Sequence, residues 1–526
     1  MKQYPLYPAD RYDDFASFLE GIGMKFAVQP AITVFQTDGT ARTHTYADLS
    51  QDAKAVACYI LSLGLKGQNI AILGETSYEY LVAMLGVSAS GNVIVPIDCD
   101  QATEALYAAI SYADAALVIR DAETGELLLG SESIASLPHI ALDNLESVTK
   151  GVIALGKTLP EVTLPQCAPD DVAAMFYTSG TTSNPKLVML THKNILWNAH
   201  SSISAVRPGD QLYIPLPLYH TYGYTSSTIS TLSIGSHLCI CGDTRYLQRD
   251  ALAFDPQGFI AVPLIAESLY NLIYNEACSK ENSRRPSGKA LKKAKASILP
   301  SLTTLISGGA GLPLAIEKGL RKCGIDVLQG YGITECSPLI SVNRNQAGRI
   351  GTSGPVIPGM EVKIDRKGAI WVRGDGVMKG YYKNPELTES VFDGEWFETG
   401  DLGSIDKAGY LRIKGREKKL IVLSSGKKVL PEELEEFVNE IGIVKEVVVY
   451  GVASGDRSGE ILPAVSIYAD PVLTSNMSQF EILDALQKEI DKINLKLPNY
   501  KQIRFVNIRD SAFPKTPTGK IRLDIK

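Results

Sequence analysis

Short apolar runs alternate with helix-like segments along residues 69–120, and this alternation limits the fold more than any other feature of the chain. Two runs, "NIAILG" (69–74) and "NVIVPID" (92–98), are typical of buried strands. The segments "SYEYLVAMLGVSAS" (77–90) and "EALYAAISYADA" (104–115) have helical spacing instead. Strands that alternate with helices form parallel sheets covered on both faces. The same rhythm returns at "VAAMFYT", "GFIAVP" and "DVLQGYG", so we predict an α/β fold.

The length of the chain predicts more than one domain. It has 526 residues, whereas a single hydrophobic core stops growing near ~250–300 residues. After about residue 355, strand-turn-strand patterns appear with "DRKG" and "DKAG" as turns. We predict a large domain over residues 1–415, a hinge at 416–419 in the charged stretch "KGREKK", and a small domain over 420–526 that carries helices near 430–442 and 478–498.

Composition excludes several functional classes. The net charge of −6 argues against a nucleic-acid-binding protein. No apolar run approaches the ~20 residues of a membrane-spanning helix, and the first residues, "MKQYPLYPAD", have no apolar core like that of a signal peptide. We therefore expect a cytoplasmic protein with reduced cysteines. The basic run 279–297 holds seven Lys or Arg and one Glu; it predicts a solvated face, with peripheral contact to anionic lipid or to a CoA phosphate as the alternative.

The stretch "MFYTSGTTSNPKLVML" (175–190) predicts a phosphate-binding loop after a strand. Its glycine-containing turn can aim backbone N–H groups at an anion, and the hydroxyls of Thr178, Ser179, Thr181 and Thr182 add donors. Lys186 adds a positive charge. The usual P-loop pattern is absent, because Pro185 precedes this lysine and Leu187 follows it. An ordinary Ser/Thr-rich surface loop is the alternative.

Other stretches supply groups that would complement a nucleotide. "GYGITECSP" (330–338) offers Tyr331 for stacking on a purine and Glu335 for Mg²⁺. "WFETGDLG" (396–403) offers Asp401 for two ribose hydroxyls. "KGREKK" offers Arg416, and "FPKTPTGKIR" (513–522) offers Lys520. Each stretch taken alone also reads as a turn or as surface charge.

In this order, the stretches resemble the adenylate-forming superfamily, and they are most similar to bacterial long-chain fatty acyl-CoA synthetases. The resemblance covers nearly the whole chain, from "HTYADLS" (44–50) to "GKIR". It implies a large N-terminal domain of two α/β lobes and a small β-barrel, followed by a small mobile α+β C-terminal domain. It also implies a two-step reaction: a carboxylic acid and ATP give acyl-AMP and pyrophosphate, and a thiol, usually that of CoA, then displaces AMP.

The resemblance assigns roles to single residues. The loop with Thr178, Ser179, Gly180, Thr181, Thr182 and Lys186 would hold the β- and γ-phosphates. Glu335, with Thr182 as a second candidate, would bind Mg²⁺, and Lys520 would bridge the carboxylate and the α-phosphate. Asp401 and Arg416 would take the ribose. The remaining nucleotide contacts would come from Tyr331, Gly332, Thr334 and, in "SGGAGLP" (307–313), Gly309 and Ala310.

The second step is expected to need rotation of the small domain. The resemblance gives Lys418 as the pivot, and the loop with Ser424, Ser425, Gly426 and Lys427 as the wall of a CoA tunnel. Two positions depart from the family pattern, because Ser183 and Leu187 stand where relatives have glycine. Both positions bear on the mobility of the phosphate loop.

The acid is expected to be aliphatic. His220, in "PLPLYHTYGYTSS" (215–227), would lie beside the substrate carboxylate, with a packed histidine as the alternative. Relatives that activate amino acids have Phe-Asp where this chain has Tyr219-His220. Thr334 and Glu335 join His220 and Lys520 as predicted catalytic residues. The alternatives are an acyl-AMP ligase that loads an acyl carrier protein, an aryl-CoA ligase, and a non-catalytic nucleotide-binding paralogue.

Overall fold

The structure is a computed structural model, and it describes residues 4–145, 150, 163–178, 186–283, 285–423, 427–454, 461–515 and 521. Strands are numbered below in chain order. Two large, mostly parallel sheets and one antiparallel sheet precede a small α+β unit. This architecture confirms the predicted α/β fold.

The first large sheet has eight strands, in the spatial order β14-β13-β12-β11-β9-β10-β1-β2. The six inner strands, β13, β12, β11, β9, β10 and β1, run parallel to one another. The outermost strands are antiparallel to their neighbours: β14 to β13, and β2 to β1. The strands are β1 (Pro30–Phe35), β2 (Ala41–Thr45), β9 (Gln211–Ile214), β10 (His237–Ile240), β11 (Gly258–Ala261), β12 (Thr304–Ser307), β13 (Asp326–Gly332) and β14 (Leu339–Val342).

The second large sheet has seven strands, in the order β17-β8-β7-β4-β3-β5-β6. Its parallel part follows the alternation seen in the sequence, and β7, β8 and β17 add an antiparallel edge. The strands are β3 (Asn69–Leu73), β4 (Val93–Ile97), β5 (Ala115–Arg120), β6 (His139–Ala141), β7 (Val172–Tyr177), β8 (Leu187–Thr191) and β17 (Gly380–Tyr381).

Helices cover these sheets. The helices Tyr46–Ser62 and Tyr78–Ala89 pack together through small side chains, and both begin with a hydroxyl cap, from Thr45 and Ser77. The helices of the large part of the chain are Phe15–Lys25, Tyr46–Ser62, Tyr78–Ala89, Thr103–Tyr112, Ala122–Leu128, Glu132–Ala135, His192–Ala205, Ser230–Leu232, Leu247–Phe254, Pro263–Glu281, Gly288–Ile298, Leu314–Lys322 and Pro385–Ser390. Shorter helical turns are Leu142–Asn144, Thr244–Tyr246, Thr334–Cys336, Glu417–Lys419 and Asn499–Lys501, and Tyr222–Ile229 is a π-helix.

The antiparallel sheet stands where the sequence predicted strand-turn-strand units. Asp365 and Asp406 organise the two predicted turns, because each accepts hydrogen bonds from backbone N–H groups two and four residues later. The strands are β15 (Met360–Ile364), β16 (Ala369–Gly374), β18 (Phe392–Asp393), β19 (Trp396–Ile405) and β20 (Leu411–Arg416).

The C-terminal part has its own core, built around Val465, Leu486 and Ile490. In its main sheet β24 pairs antiparallel with β23 and parallel with β25. The elements are β21 (Ile421–Val422), β22 (Lys428–Val429), β23 (Val444–Ala453), β24 (Ile461–Ala469), β25 (Phe505–Ile508) and the helices Pro431–Val438 and Gln479–Asn494. Both helices fall within the segments predicted from the sequence.

Candidate active site

The stem of the predicted phosphate loop is an antiparallel hairpin. Tyr177 of β7 pairs with Leu187 of β8, and the Thr178 N–H donates to the Lys186 carbonyl over 3.0 Å. Leu187 is fully buried, so it anchors the loop in the core. The other predicted loop residues, Ser179, Gly180, Thr181, Thr182 and Ser183, lie outside the described part of the chain.

Lys186 and Glu335 meet around a tyrosine that the sequence analysis missed. The Lys186 ammonium lies 4.8 Å from the centre of the Tyr381 ring, and the Tyr381 hydroxyl donates to Glu335 Oε1 over 2.8 Å. Burial lowers the pKa of Lys186, the like charge of Lys418 lowers it further, and Glu335 opposes both effects. The predicted phosphate, metal and hinge residues therefore share one electrostatic environment.

Glu335 fits a magnesium site. Mg²⁺ is usually bound through one or two carboxylates together with substrate phosphates and water, rather than by an all-protein cage. Within the described ranges, no group of three or more His, Cys, Asp or Glu side chains is suited to hold a metal by itself. The single carboxylate of Glu335 beside a phosphate loop matches this requirement, whereas Thr182 is not described.

A buried asparagine fixes the segment that carries Thr334 and Glu335. Asn198, on the helix His192–Ala205, is fully buried and donates to the carbonyls of Cys336 (3.0 Å) and Leu339 (2.9 Å). The helical turn Thr334–Cys336 therefore cannot shift without breaking buried hydrogen bonds. Nothing in the local sequence pattern marked Asn198 for this role.

Asp401 is a nearly buried carboxylate between two partners. The Tyr331 hydroxyl donates to Asp401 Oδ2 over 2.6 Å, and Arg416 Nε lies 3.0 Å from Asp401 Oδ1. The register of β19 and β20 makes this contact, because Asp401 and Arg416 are directly opposite each other. Burial, reinforced by Asp401, raises the pKa of Tyr331 well above its ordinary value, so the phenol stays protonated and keeps donating.

The loop with Gly309 and Ala310 is held by a polar chain behind it. The Leu312 N–H donates to Gln329 Oε1 over 3.2 Å, and Gln329 Nε2 donates to Glu317 Oε2 over 2.7 Å. Gly309 has φ +82°, a left-handed conformation that favours glycine. The predicted adenine loop thus has a defined backbone.

His220 precedes a buried, hydroxyl-rich π-helix. The His220 carbonyl accepts the Tyr224 N–H over 2.9 Å. In the π-helix, Ser227 and Thr228 donate to carbonyls five residues earlier, Tyr222 (2.7 Å) and Gly223 (2.8 Å). These bonds satisfy two of the buried hydroxyls of the segment. In the sequence, only the run of serines and threonines indicated this segment.

Twelve of the predicted site residues line one cleft, which has a volume of about 2320 Å³. That volume exceeds the ~300–1,000 Å³ of an ordinary ligand pocket, because the cleft continues between the large part of the chain and the C-terminal part. The predicted site residues that line it are Thr178, Lys186, His220, Gly309, Ala310, Tyr331, Gly332, Thr334, Glu335, Asp401, Arg416 and Lys418.

In the C-terminal part, the structure describes only some of the predicted site residues. Lys427 lies over the ring of Tyr500, with the ammonium 4.5 Å from the ring centre. The other predicted CoA residues, Ser424, Ser425 and Gly426, and the predicted catalytic Lys520 are outside the described residues. Lys515 and Ile521, which lie on either side of residue 520 in the sequence, form a β-bridge and line the cleft.

Comparison with known proteins agrees with this arrangement. Residues 24–382 match the AMP-binding enzyme family, and residues 418–523 match the AMP-binding enzyme C-terminal domain. The chain belongs to the AMP-binding enzyme family. The family predicted from the sequence motifs is therefore confirmed. The exact boundaries 1–415, 416–419 and 420–526 remain predictions, although Arg416 ends β20 and Glu417–Lys419 forms a helical turn.

Several relatives of this AMP-binding enzyme are named for their activities. The long-chain-fatty-acid–CoA ligase of Salmonella typhimurium is 27% identical over 97% of this chain and 94% of its own length. The probable acyl-activating enzyme 16 of Arabidopsis thaliana is 26% identical over 92% and 83%. ATP-bound MatB from Rhodopseudomonas palustris has a TM-score of 0.78 at 26% identity, over 96% of this chain and 97% of that one.

The fold is shared more widely. The anthranilate CoA ligase AuaEII, in complex with anthranoyl-AMP, has a TM-score of 0.82 at 22% identity, over 98% of this chain and 96% of its own. At that identity the likeness concerns the fold alone. In the part of this AMP-binding enzyme that the structure describes, no helix combines the length and apolar character needed to cross a bilayer.

Proposed function

We propose that the chain is an acid–thiol ligase that activates a carboxylic acid, a fatty acid in particular, with ATP and transfers the acyl group to CoA. One observation carries the proposal: the predicted triphosphate, magnesium and ribose residues open on one cleft together with Lys515 and Ile521, the neighbours of Lys520. Such a cleft suits a reaction between two anions, which depends on positive charge and oriented donors.

In the first step, a carboxylate oxygen of the acid attacks the α-phosphorus of ATP, and the bond from that phosphorus to the β-phosphate oxygen breaks. Lys186 would hold the departing phosphates, and Lys520 would neutralise the two anions as they approach. Asp401 would accept hydrogen bonds from the ribose hydroxyls. Its carboxylate lies at the cleft wall, where it already contacts Tyr331 and Arg416. Bound Mg²⁺, held by Glu335, would supply additional neutralisation of the phosphate charge.

In the second step, the CoA sulfur attacks the acyl carbon and AMP leaves with the electrons of the broken bond. The thiol proton passes to water as the sulfur–carbon bond forms. Rotation about Lys418 would exchange Lys520 for the segment that contains Lys427. A hinge at this place is supported by the short helical turn Glu417–Lys419, which joins β20 to the C-terminal part.

The acid would lie beside His220 and along the π-helix. The lining of the cleft includes the apolar side chains of Val262, Ile306 and Leu339, together with Ser226 and Ser230. These apolar side chains and the names of the relatives favour an aliphatic acid over an amino acid. Because ATP and CoA would be its co-substrates, we propose the cytoplasm as its location.

The decisive experiment measures pyrophosphate release with ATP, Mg²⁺ and a panel of acids: butanoic, octanoic, dodecanoic, hexadecanoic and benzoic. We expect an aliphatic acid to give the fastest release. Lys520→Ala should reduce that release by about 10³-fold or more, because the variant loses a positive charge that acts in the transition state. Lys492→Ala, at an exposed ion pair in the same domain, is the control and should match the unmodified chain.

The acceptor is tested by adding either CoA or an acyl carrier protein to the accumulated acyl-AMP. Formation of acyl-CoA supports the proposal. Transfer to the carrier protein alone would make the chain a carrier-protein ligase. ATP binding without pyrophosphate release for any acid would point to a non-catalytic paralogue. An unchanged rate of pyrophosphate release in Lys520→Ala would contradict the role given to that lysine.

A further inference from the structure

One carboxylate of β23 holds the C-terminal segment at two points. Glu446 Oε2 accepts the Phe513 N–H over 2.7 Å, and Glu446 Oε1 lies 2.6 Å from the Lys515 ammonium. The Glu446 side chain is only 9% exposed. A charge-assisted contact with so little solvent access is stronger than an exposed ion pair. Both of the Glu446 contacts are made to the segment just before residues 516–520.

The held segment is paired with the residue that follows Lys520. Lys515 and Ile521 form an antiparallel β-bridge. Residue 520 comes directly before Ile521 in the sequence. Restraining Lys515 therefore also restrains Ile521, the immediate neighbour of Lys520 in the chain.

A second carboxylate lines the same cleft as Lys515. Glu267, on the helix Pro263–Glu281, is half-buried and lines the cleft, as do Lys445, Glu446 and Lys515. Burial raises the pKa of Glu267; Lys515 and Lys445 oppose this effect, and Glu446 and Asp470 add to it. The positive charge of Lys515 thus acts on an acid of the large part of the chain as well as on Glu446.

We propose that Glu446 is a positioning residue for adenylate formation: through the Phe513 N–H and Lys515, it fixes the Lys515–Ile521 bridge, whose second residue directly follows Lys520 in the sequence. The inference rests on the proposed function, because it assigns Lys520 to the first half-reaction. It goes beyond it by naming residues that act through the position of Lys520. Small misplacements of a reacting group cost about 10²-fold in rate, which sets the size of the expected effect.

The experiment measures the two half-reactions separately in the full chain. Glu446→Gln removes the charge but keeps an oxygen for the Phe513 N–H, and Lys515→Met removes the ion pair from the other side. We expect pyrophosphate release with dodecanoic acid to fall by about 10²-fold in both variants. Transfer to CoA from chemically supplied dodecanoyl-AMP should stay within about twofold, because Lys520 is not needed for that step.

The control is Asp484→Asn, which breaks an exposed ion pair of 2.7 Å with Lys488 in the same domain. It should leave both half-reactions unchanged. Equal losses of both steps in Glu446→Gln and Lys515→Met would indicate a merely structural role and overturn the inference. So would unchanged pyrophosphate release in both variants. If the unmodified chain itself fails to release pyrophosphate or to form acyl-CoA, the proposed function fails instead.

Discussion

At the scale of single residues, the orientation of Glu335 depends on a side chain outside the recognised motifs. Tyr381 donates to Glu335 Oε1, and its ring supports the Lys186 ammonium. Its position comes from β17, where Gly380 and Tyr381 pair with Met189 and Val188. The same tyrosine therefore connects the proposed metal ligand with the proposed phosphate lysine.

Tyr381→Phe should slow adenylate formation. The variant keeps the ring but removes a hydrogen bond to a charged group, which is worth about 1.5–3 kcal/mol, or roughly 10- to 150-fold. We expect a fall of that size in kcat/KM for ATP, measured by pyrophosphate release.

The neighbouring Tyr382 provides a matched control. Its hydroxyl donates to Asp114 over 2.9 Å, at an exposed contact away from the cleft. Tyr382→Phe should stay within about twofold of the unmodified chain. Similar losses in both variants would attribute the Tyr381 effect to general destabilisation of this segment.

At the scale of elements, close packing of two helices depends on one glycine. A Cβ built at Gly86, on the helix Tyr78–Ala89, would lie 2.7 Å from the Ala53 carbonyl oxygen and 2.7 Å from Val56 Cβ. Both neighbours belong to the helix Tyr46–Ser62. Because one contact is with backbone, the helices must separate if a methyl group is added.

Gly86→Ala should lower stability although alanine favours helix. The gain in helix propensity is about 1 kcal/mol, whereas forced overpacking costs about 1–3 kcal/mol and separation of the backbones adds to that cost. We expect a lower urea midpoint, followed by circular dichroism. Gly288→Ala is the comparison, because a Cβ there meets nothing within 4 Å. If Gly86→Ala raised the urea midpoint as much as Gly288→Ala does, the two helices would not be as close at Gly86 as the structure shows.

At the scale of the whole molecule, Lys418 lies where the two parts of the chain join. Its charge acts on Lys186 across the cleft, and its backbone is in the helical turn after β20. A change at this residue therefore has two separable consequences, one through charge and one through backbone freedom.

Lys418→Pro should separate the half-reactions. Proline fixes φ near the value of a helical turn, so we expect pyrophosphate release to continue while transfer of the acyl group to CoA falls by about 10²-fold. Both steps are measured with the same acid. Lys418→Ala removes the charge but leaves the backbone free, so it should keep the transfer step. Equal loss of both steps in Lys418→Pro would argue against a hinge here.

The sequence was sufficient to predict the α/β fold and the family, and the described residues of its motifs line one cleft. It did not identify Tyr381 and Asn198, because their roles arise from contacts with residues distant in the sequence: Tyr381 contacts Glu335 across 46 positions, and Asn198 contacts Cys336 and Leu339 across 138 and 141 positions. It also treated Leu187 as a loop position, whereas the buried side chain starts β8. The functional role of every predicted site residue remains a prediction, and residues 179–183, 424–426 and 520 lie outside the described part of the chain.

The placement of Asp401 has a consequence for how the molecule senses its ligand. This carboxylate already contacts Arg416, only two residues before the proposed pivot. A ribose that takes up one of its oxygens must compete with, or add to, that contact. If Asp401 binds the ribose and the C-terminal part rotates as proposed, the two events would be reciprocally linked: an orientation of the C-terminal part that weakens the Asp401–Arg416 contact would also alter nucleotide affinity.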